Sequence, residues 1–189
     1  MKRTASLVIA MILLLCSCGG VPEEAQSLVD MDTINRMYFS GLLGDWDSAD
    51  GLDPDMLVSF FFRSSNAGDT WEDYYDKDLQ AICYPQGVCE RYVTAYFDLP
   101  KEYLRLSSYY NHDTLTYNNP SSGYGGASFI DSVETEKKGK NVLATVYRYV
   151  PVDEGESDPG PLPSYILTLT QTDDGWRFSS CKEVSAEAP

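Results

Sequence analysis

The chain has 189 residues, of which 43% are hydrophobic and 13% aromatic, with 29 acids against 14 bases and a net charge of −15. That length and composition set the expectation of one domain with a buried core, and they exclude disorder in spite of the charge. A surface this acidic repels nucleic acid and anionic headgroups, so a nucleic-acid partner is excluded as well.

Lys2 and Arg3 precede an apolar run over residues 6–15, which breaks at Ser17, Cys18, Gly19 and Gly20. This is the layout of a secretory leader, and the run is shorter than the roughly 20 residues a spanning helix needs. Leu15-Cys16-Ser17-Cys18 resembles the bacterial lipobox, in which a leucine and two small residues precede the cysteine that receives diacylglycerol. The resemblance implies lipid attachment at Cys18; Cys16 fits less well, because Leu15 stands where a small residue is needed. Residues 1–17 are then a signal peptide, whose loss removes two bases and no acid and takes the net charge from −15 to −17. The expected location is the extracytoplasmic face of a cell membrane, held by acyl chains and not by a basic patch. Residues 18–31 mix Gly, Pro and acids and read as a tether, leaving 32–189 as a single α+β domain.

From Asp32, Ile34, Met37, Tyr38 and Leu42 recur near helical spacing, with Asp32 or Thr33 as N-cap and Gly41 and Gly44 ending the helix. Asp53-Pro54-Asp55 is the clearest helix start: an N-cap, a proline at the first helical position and an acid against the helix dipole, followed by Met56, Leu57, Phe60 and Phe61. A third helix is expected over 86–98 from Val88, Tyr92, Val93, Tyr96 and Phe97, stopped or kinked by Pro100 before a short continuation through Tyr103, Leu104 and Leu106. The N-terminal half therefore reads as helical.

After residue 110 the periodicity changes. "HDTLTYN" is a short strand candidate, and "FIDSVETEKKGKNVLATVYRYV" reads as two strands joined at Lys-Gly-Lys-Asn. "PSYILTLTQTDDGWRFSSCKEV" repeats the plan around Asp174-Gly175, with Trp176 and Phe178 on one face and Arg177 on the other. Helices followed by antiparallel hairpins indicate an α+β domain, N-terminal helices packed on a curved antiparallel meander. This order, with "CERYVTAYFDLPKEYLRLSSYYN" and the closing "DDGWRF" hairpin, resembles the NTF2-like or cystatin-like α+β roll found in many small bacterial lipoproteins. Such rolls serve pocket-binding proteins, dimeric adaptors and a few enzymes, so the resemblance leaves function open.

Asp45, Asp47, Asp50, Asp53 and Asp55 fall within eleven residues, but Ala49 and Asp50 break the EF-hand register and no Glu closes the loop. Helix capping and solvated acids explain them better than calcium. Cys83, Cys89 and Cys181 form an odd set in an exported chain, consistent with one bridge and one free thiol. Cys83 and Cys89 flank the turn "YPQGV" and are the candidate disulfide; either could instead pair with Cys181, or all three could be buried thiols. His112, the sole histidine, lies in the polar stretch "YYNHDTL". No G-x-S-x-G, H-E-x-x-H or phosphate-binding glycine loop occurs, so no catalytic residue, metal or cofactor is expected, and "SSGYGGAS" reads as a turn. Trp71, Tyr74, Tyr75, Tyr109 and Tyr110 sit beside acids and amides, a composition suited either to a sugar or protein partner or to a core that uses Tyr for bulk. The leading expectation is a non-enzymatic, lipid-anchored module binding a small molecule, glycan or protein. The alternative is an isomerase or dehydratase with a buried Asp/Tyr pocket.

Overall fold

The computed structural model describes residues 20–64, 71–120, 130–148 and 164–184. The fold is α+β, with helices packed against two antiparallel sheets of four strands each among the described residues. Helix α1 (Glu23–Leu28) opens after Pro22, with Glu23 and Glu24 at its positive end. It buries Ala25 and Val29 and packs on the last strand, so folded structure begins inside the stretch read as a tether. Helix α2 (Met31–Phe39) is capped two or three residues earlier than the sequence suggested, by Asp30, whose carboxylate accepts from the Thr33 amide at 2.7 Å. Gly41, at φ +77°, closes it by letting the Leu42 amide donate to Met37 O at 2.8 Å. Helix α3 (Pro54–Phe62) starts at the expected Asp53 cap and buries Leu57, Val58, Phe60, Phe61 and Phe62.

The expectation of a helical first half needs correction. Strands β1 (Tyr75–Asp76) and β2 (Ala81–Pro85) precede helix α4 (Gln86–Tyr96), and a 3₁₀ turn (Lys101–Leu106) then leads into β3 (Tyr110–Asn111) and β4 (Thr116–Pro120). They form one sheet in the order β1-β2-β4-β3. Strands this short, rich in Asp, Asn and Pro, carry no apolar alternation to read.

The sheet is built from two copies of one hairpin. Residues 74–85, "YYDKDLQAICYP", and 109–120, "YYNHDTLTYNNP", lie 35 apart and share Tyr-Tyr, an Asp or Asn, an Asp and a final Pro. Asp76 Oδ1 accepts from the amides of Asp78 and Leu79, and Asn111 Oδ1 accepts from those of Asp113 and Thr114, one and the same Asx turn. Each turn ends on a non-glycine residue in the left-handed region, Gln80 at φ 49° and Leu115 at φ 54°. Tyr75 pairs with Ile82 as Tyr110 pairs with Tyr117. Where the copies meet, Cys83 faces its own counterpart Asn118, and the register runs outward equally to Ala81–Pro120 and Pro85–Thr116. A local two-fold axis therefore passes through that pair.

The second sheet is an antiparallel meander, β5 (Ile130–Lys138), β6 (Asn141–Arg148), β7 (Ser164–Thr172) and β8 (Gly175–Val184), in sequence order; the expected curvature is absent, and the strands form two open sheets in place of one curved meander. Its inner face carries Val142, Ala144, Val146, Tyr165, Leu167, Leu169, Trp176, Phe178 and Cys181, all buried. Trp176 and Phe178 share that face as expected. A bulge supplies Ser179 as an extra residue, since Thr168 pairs with Ser180 but Leu169 with Phe178. Without it, strict alternation from Phe178 would turn Cys181 outward. The free side of β8 is covered by Trp46, which exchanges two backbone hydrogen bonds with Cys181 at 2.9 and 3.0 Å, and by Phe97, bridged to Phe178. Helices α3 and α4 fill the space over the inner face. Their rings run from Phe178 to Phe97 (5.7 Å), Phe60 (5.6 Å), Tyr92 (5.8 Å), Phe61 (5.5 Å) and Tyr84 (4.8 Å) in one aromatic core. Arg177, on the opposite face, donates from Nε to Thr94 O near the end of α4, from Nη1 to Trp176 O and from Nη2 to Asp174 O, and so pins the closing turn to the helix.

Candidate functional site

With the inner face of the large sheet filled, the open concavity carrying residues singled out from sequence lies on the small sheet. A cleft of about 710 Å³ opens between the β1–β2 turn and the run from Ser108 to Asp113, with Asn118 and Pro120 of β4 beneath it. Asn118 is held by its amide, which donates to Tyr109 O at 2.8 Å, and its Oδ1 accepts from Thr116 Oγ1 at 2.8 Å. Asn111 spends its carbonyl oxygen on the Asx turn. The side-chain Nδ2 groups of both asparagines thus have no acceptor among the described residues. His112 stands edge-on to the Tyr110 ring at 4.8 Å, and Asp113 and Leu79 are exposed at the rim. Amide donors, an imidazole and a carboxylate beside an aromatic ring suit a ligand that both donates and accepts hydrogen bonds.

Behind the cleft lies a buried polar relay. The Tyr110 hydroxyl donates to Gln86 Oε1, and Gln86 Nε2 donates to Glu90 Oε2 at 3.5 Å. Glu90, 3% exposed, receives Arg105 Nε at 2.7 Å and Nη2 at 3.4 Å. Glu90 is therefore neutralised in place, and it is not among the residues that line the cleft. Tyr117 is fully buried beside it with a hydroxyl that has no partner among the described residues. Burial, then Cys89, Glu90 and Tyr110, push that phenol far above its ordinary range.

The sequence-derived candidates divide. Cys16 and Cys18 lie outside the described residues, as do the signal peptide and the "SSGYGGAS" turn. Cys83, Cys89 and Cys181 are free thiols here. Cys83 is half-buried on β2 and raised by burial and then by Asp76; Cys89, in the core on α4, is raised well above the ordinary thiol value by burial and then by Glu90. Burial pushes Cys181 up to about 11. The five aspartates each have a structural partner, two of them local and three distant in sequence. Asp45 takes the Glu183 amide, Asp47 pairs with Lys182 at 2.9 Å, Asp50 takes Ser48, Asp53 caps α3, and Asp55 binds Ser107 and Ser108. Of the aromatics, Tyr74 packs on Tyr84 and Tyr109 on Phe62, Tyr110 is buried, and Tyr75 is 38% exposed; the Trp71 side chain lies outside the description. Sequence reading missed Asn111, Asn118 and the Glu90–Arg105 pair. Aligning the two Tyr-Tyr stretches would have placed the asparagines on a hairpin.

A second cleft, about 500 Å³, lies between α1 and the β7–β8 turn, lined by Glu24, Asp173, Asp174 and Arg177 among others. Its guanidinium is already committed to three carbonyls. No protein-family model, curated protein or solved structure matches this chain.

Proposed function

We propose that this chain is a lipid-anchored extracytoplasmic binding protein, held to the membrane through Cys18, whose ligand is a neutral polyhydroxylated molecule such as a glycan. The observation that carries the ligand class is the small-sheet cleft, where Asn111, Asn118 and His112 stand beside Tyr110 with side-chain donors not used by the fold. A net charge of −15 disfavours anionic ligands at an exposed carboxylate such as Asp113, whereas sugar hydroxyls can use amide donors and a carboxylate acceptor together. The anchor rests on the Leu15-Cys16-Ser17-Cys18 sequence. The isomerase or dehydratase reading has less support, because the buried carboxylate Glu90 is held by Arg105 away from the cleft.

An NMR titration of the chain with neutral oligosaccharides tests the ligand class. Saturable shifts are expected at the side-chain amides of Asn111 and Asn118 and at His112, and they should vanish in Asn118→Ala. Shifts absent, or centred elsewhere, reject the cleft as a glycan seat. Metabolic labelling with a fatty acid tests the anchor separately: Cys18→Ala should abolish incorporation and Cys16→Ala should not.

A further inference from the structure

Among 14 bases facing 29 acids, a covered arginine is expected to have an acidic or carbonyl partner, and among the described residues Arg148 has none. Arg36 meets Asp32 at 3.4 Å, Arg105 meets Glu90, and Arg177 meets three carbonyls. Arg148, half-buried at the end of β6, meets two phenols instead. Its Nη1 donates to Tyr165 Oη and its Nη2 to Tyr38 Oη, each at 3.4 Å, while Nε is buried without a partner among the described residues. The guanidinium carbon lies 5.3 Å from the Tyr38 ring centroid and 5.9 Å from that of Tyr165. Tyr38 comes from α2 and Tyr165 from β7, so three elements converge on one cation.

Ring faces and two long hydrogen bonds compensate a desolvated guanidinium only in part. The arrangement also leaves donors unused. Tyr165 accepts from Arg148, so its own proton is available, and among the described residues it has no acceptor. Each Nη nitrogen carries a second proton.

We propose that Arg148, with Tyr165 and Tyr38, forms a seat for an oxyanion, a carboxylate or phosphate group held by the guanidinium fork and by the Tyr165 hydroxyl. The acidic surface at large repels anions, so an oxyanion held here is held by this local fork against the net field of the chain. The group can belong to a free small molecule or to the headgroup of an anionic lipid beside the anchor. This seat is independent of the cleft on the small sheet.

The test uses the full chain in phosphatidylcholine-type micelles, following the Arg148 Nε–H resonance, which its burial protects from rapid exchange. Inorganic phosphate or succinate is added at constant ionic strength in one arm; phosphatidylglycerol replaces part of the micelle lipid in the other. A saturable shift in the first arm identifies a free oxyanion, and a shift in the second alone identifies a headgroup. The affinity should fall about tenfold or more in Arg148→Lys, the loss of one charge-assisted hydrogen bond of the fork. Tyr165→Phe removes a single oxygen, keeps the ring in the core, and should weaken binding several-fold. No saturable shift in either arm, or a response unchanged in Arg148→Lys and Tyr165→Phe, overturns the proposal and leaves Arg148 as a purely structural cation between two rings.

Discussion

The hairpins β1–β2 and β3–β4 share a turn, a register and a left-handed residue at the same step, yet they end in different surroundings. Tyr75 is 38% exposed and its counterpart Tyr110 is 8% exposed; Ile82 is half-buried where Tyr117 is fully buried. The second hairpin lies against α4, whose Gln86 takes the Tyr110 hydroxyl, and its approach is tied to α3 by Asp55, which accepts from Ser107 and Ser108. Local code fixes the shape of a hairpin, and its neighbours decide which copy becomes core and which stays at the edge. The outward residues then diverge, Lys77 against His112 and Cys83 against Asn118; both copies line the cleft, the first through Leu79, Gln80 and Ala81, and the second brings the imidazole and the amides.

Three variants press on that difference. Tyr110→Ala should cost about 3 to 5 kcal/mol in equilibrium denaturation, the range for deleting a buried aromatic, because it removes a ring packed 4.9 Å from Tyr117 and strips Gln86 of its donor. Tyr75→Ala should cost about 1 kcal/mol or less. Equal losses would mean that the two hairpins are buried alike. Tyr117→Phe should gain about 1 kcal/mol, since it deletes a buried hydroxyl without a partner, whereas a loss would place an ordered water on that oxygen.

Smaller effects should be shared. Gln80→Gly and Leu115→Gly each relieve a left-handed strain of about 1 to 2 kcal/mol against a glycine entropy cost of about 0.5 to 1 kcal/mol, so both should stabilise slightly and by similar amounts. A gain in one turn only would break the equivalence of the copies. Acid should separate them again. Burial alone would raise Asp55, but its hydrogen bonds from Ser107 and Ser108 outweigh burial and hold it below the ordinary carboxylate value. Its contribution is therefore present above the unfolded-chain pKa of about 4 and is lost as pH falls through the lower folded value. Hydrogen exchange at the Ser108–Tyr110 amides should accelerate at low pH relative to Asp73–Tyr75, and Asp55→Asn should remove that pH dependence.

Much of this architecture is written locally. Asp53-Pro54-Asp55 determined the start of α3, because a cap, a fixed φ and a dipole partner act within one turn. Alternation around Trp176 and Phe178 determined which face of β8 is buried, since the pleat has a period of two. The spacing of the Tyr-Tyr stretches held the twin hairpins as well, legible only when the chain is compared with itself. Other features join residues that no short window contains. Glu90 finds Arg105 across a helix end and a 3₁₀ turn, Arg177 reaches back to Thr94, Arg148 gathers Tyr38 and Tyr165, and Trp46 closes the edge at Cys181. A long flexible side chain carries its charge several ångströms from its own backbone, and its partner is chosen by what the packed core leaves within reach. The tertiary structure alone decided where the polar groups of this acidic chain were spent and where, at Asn118 and Arg148, they were left over.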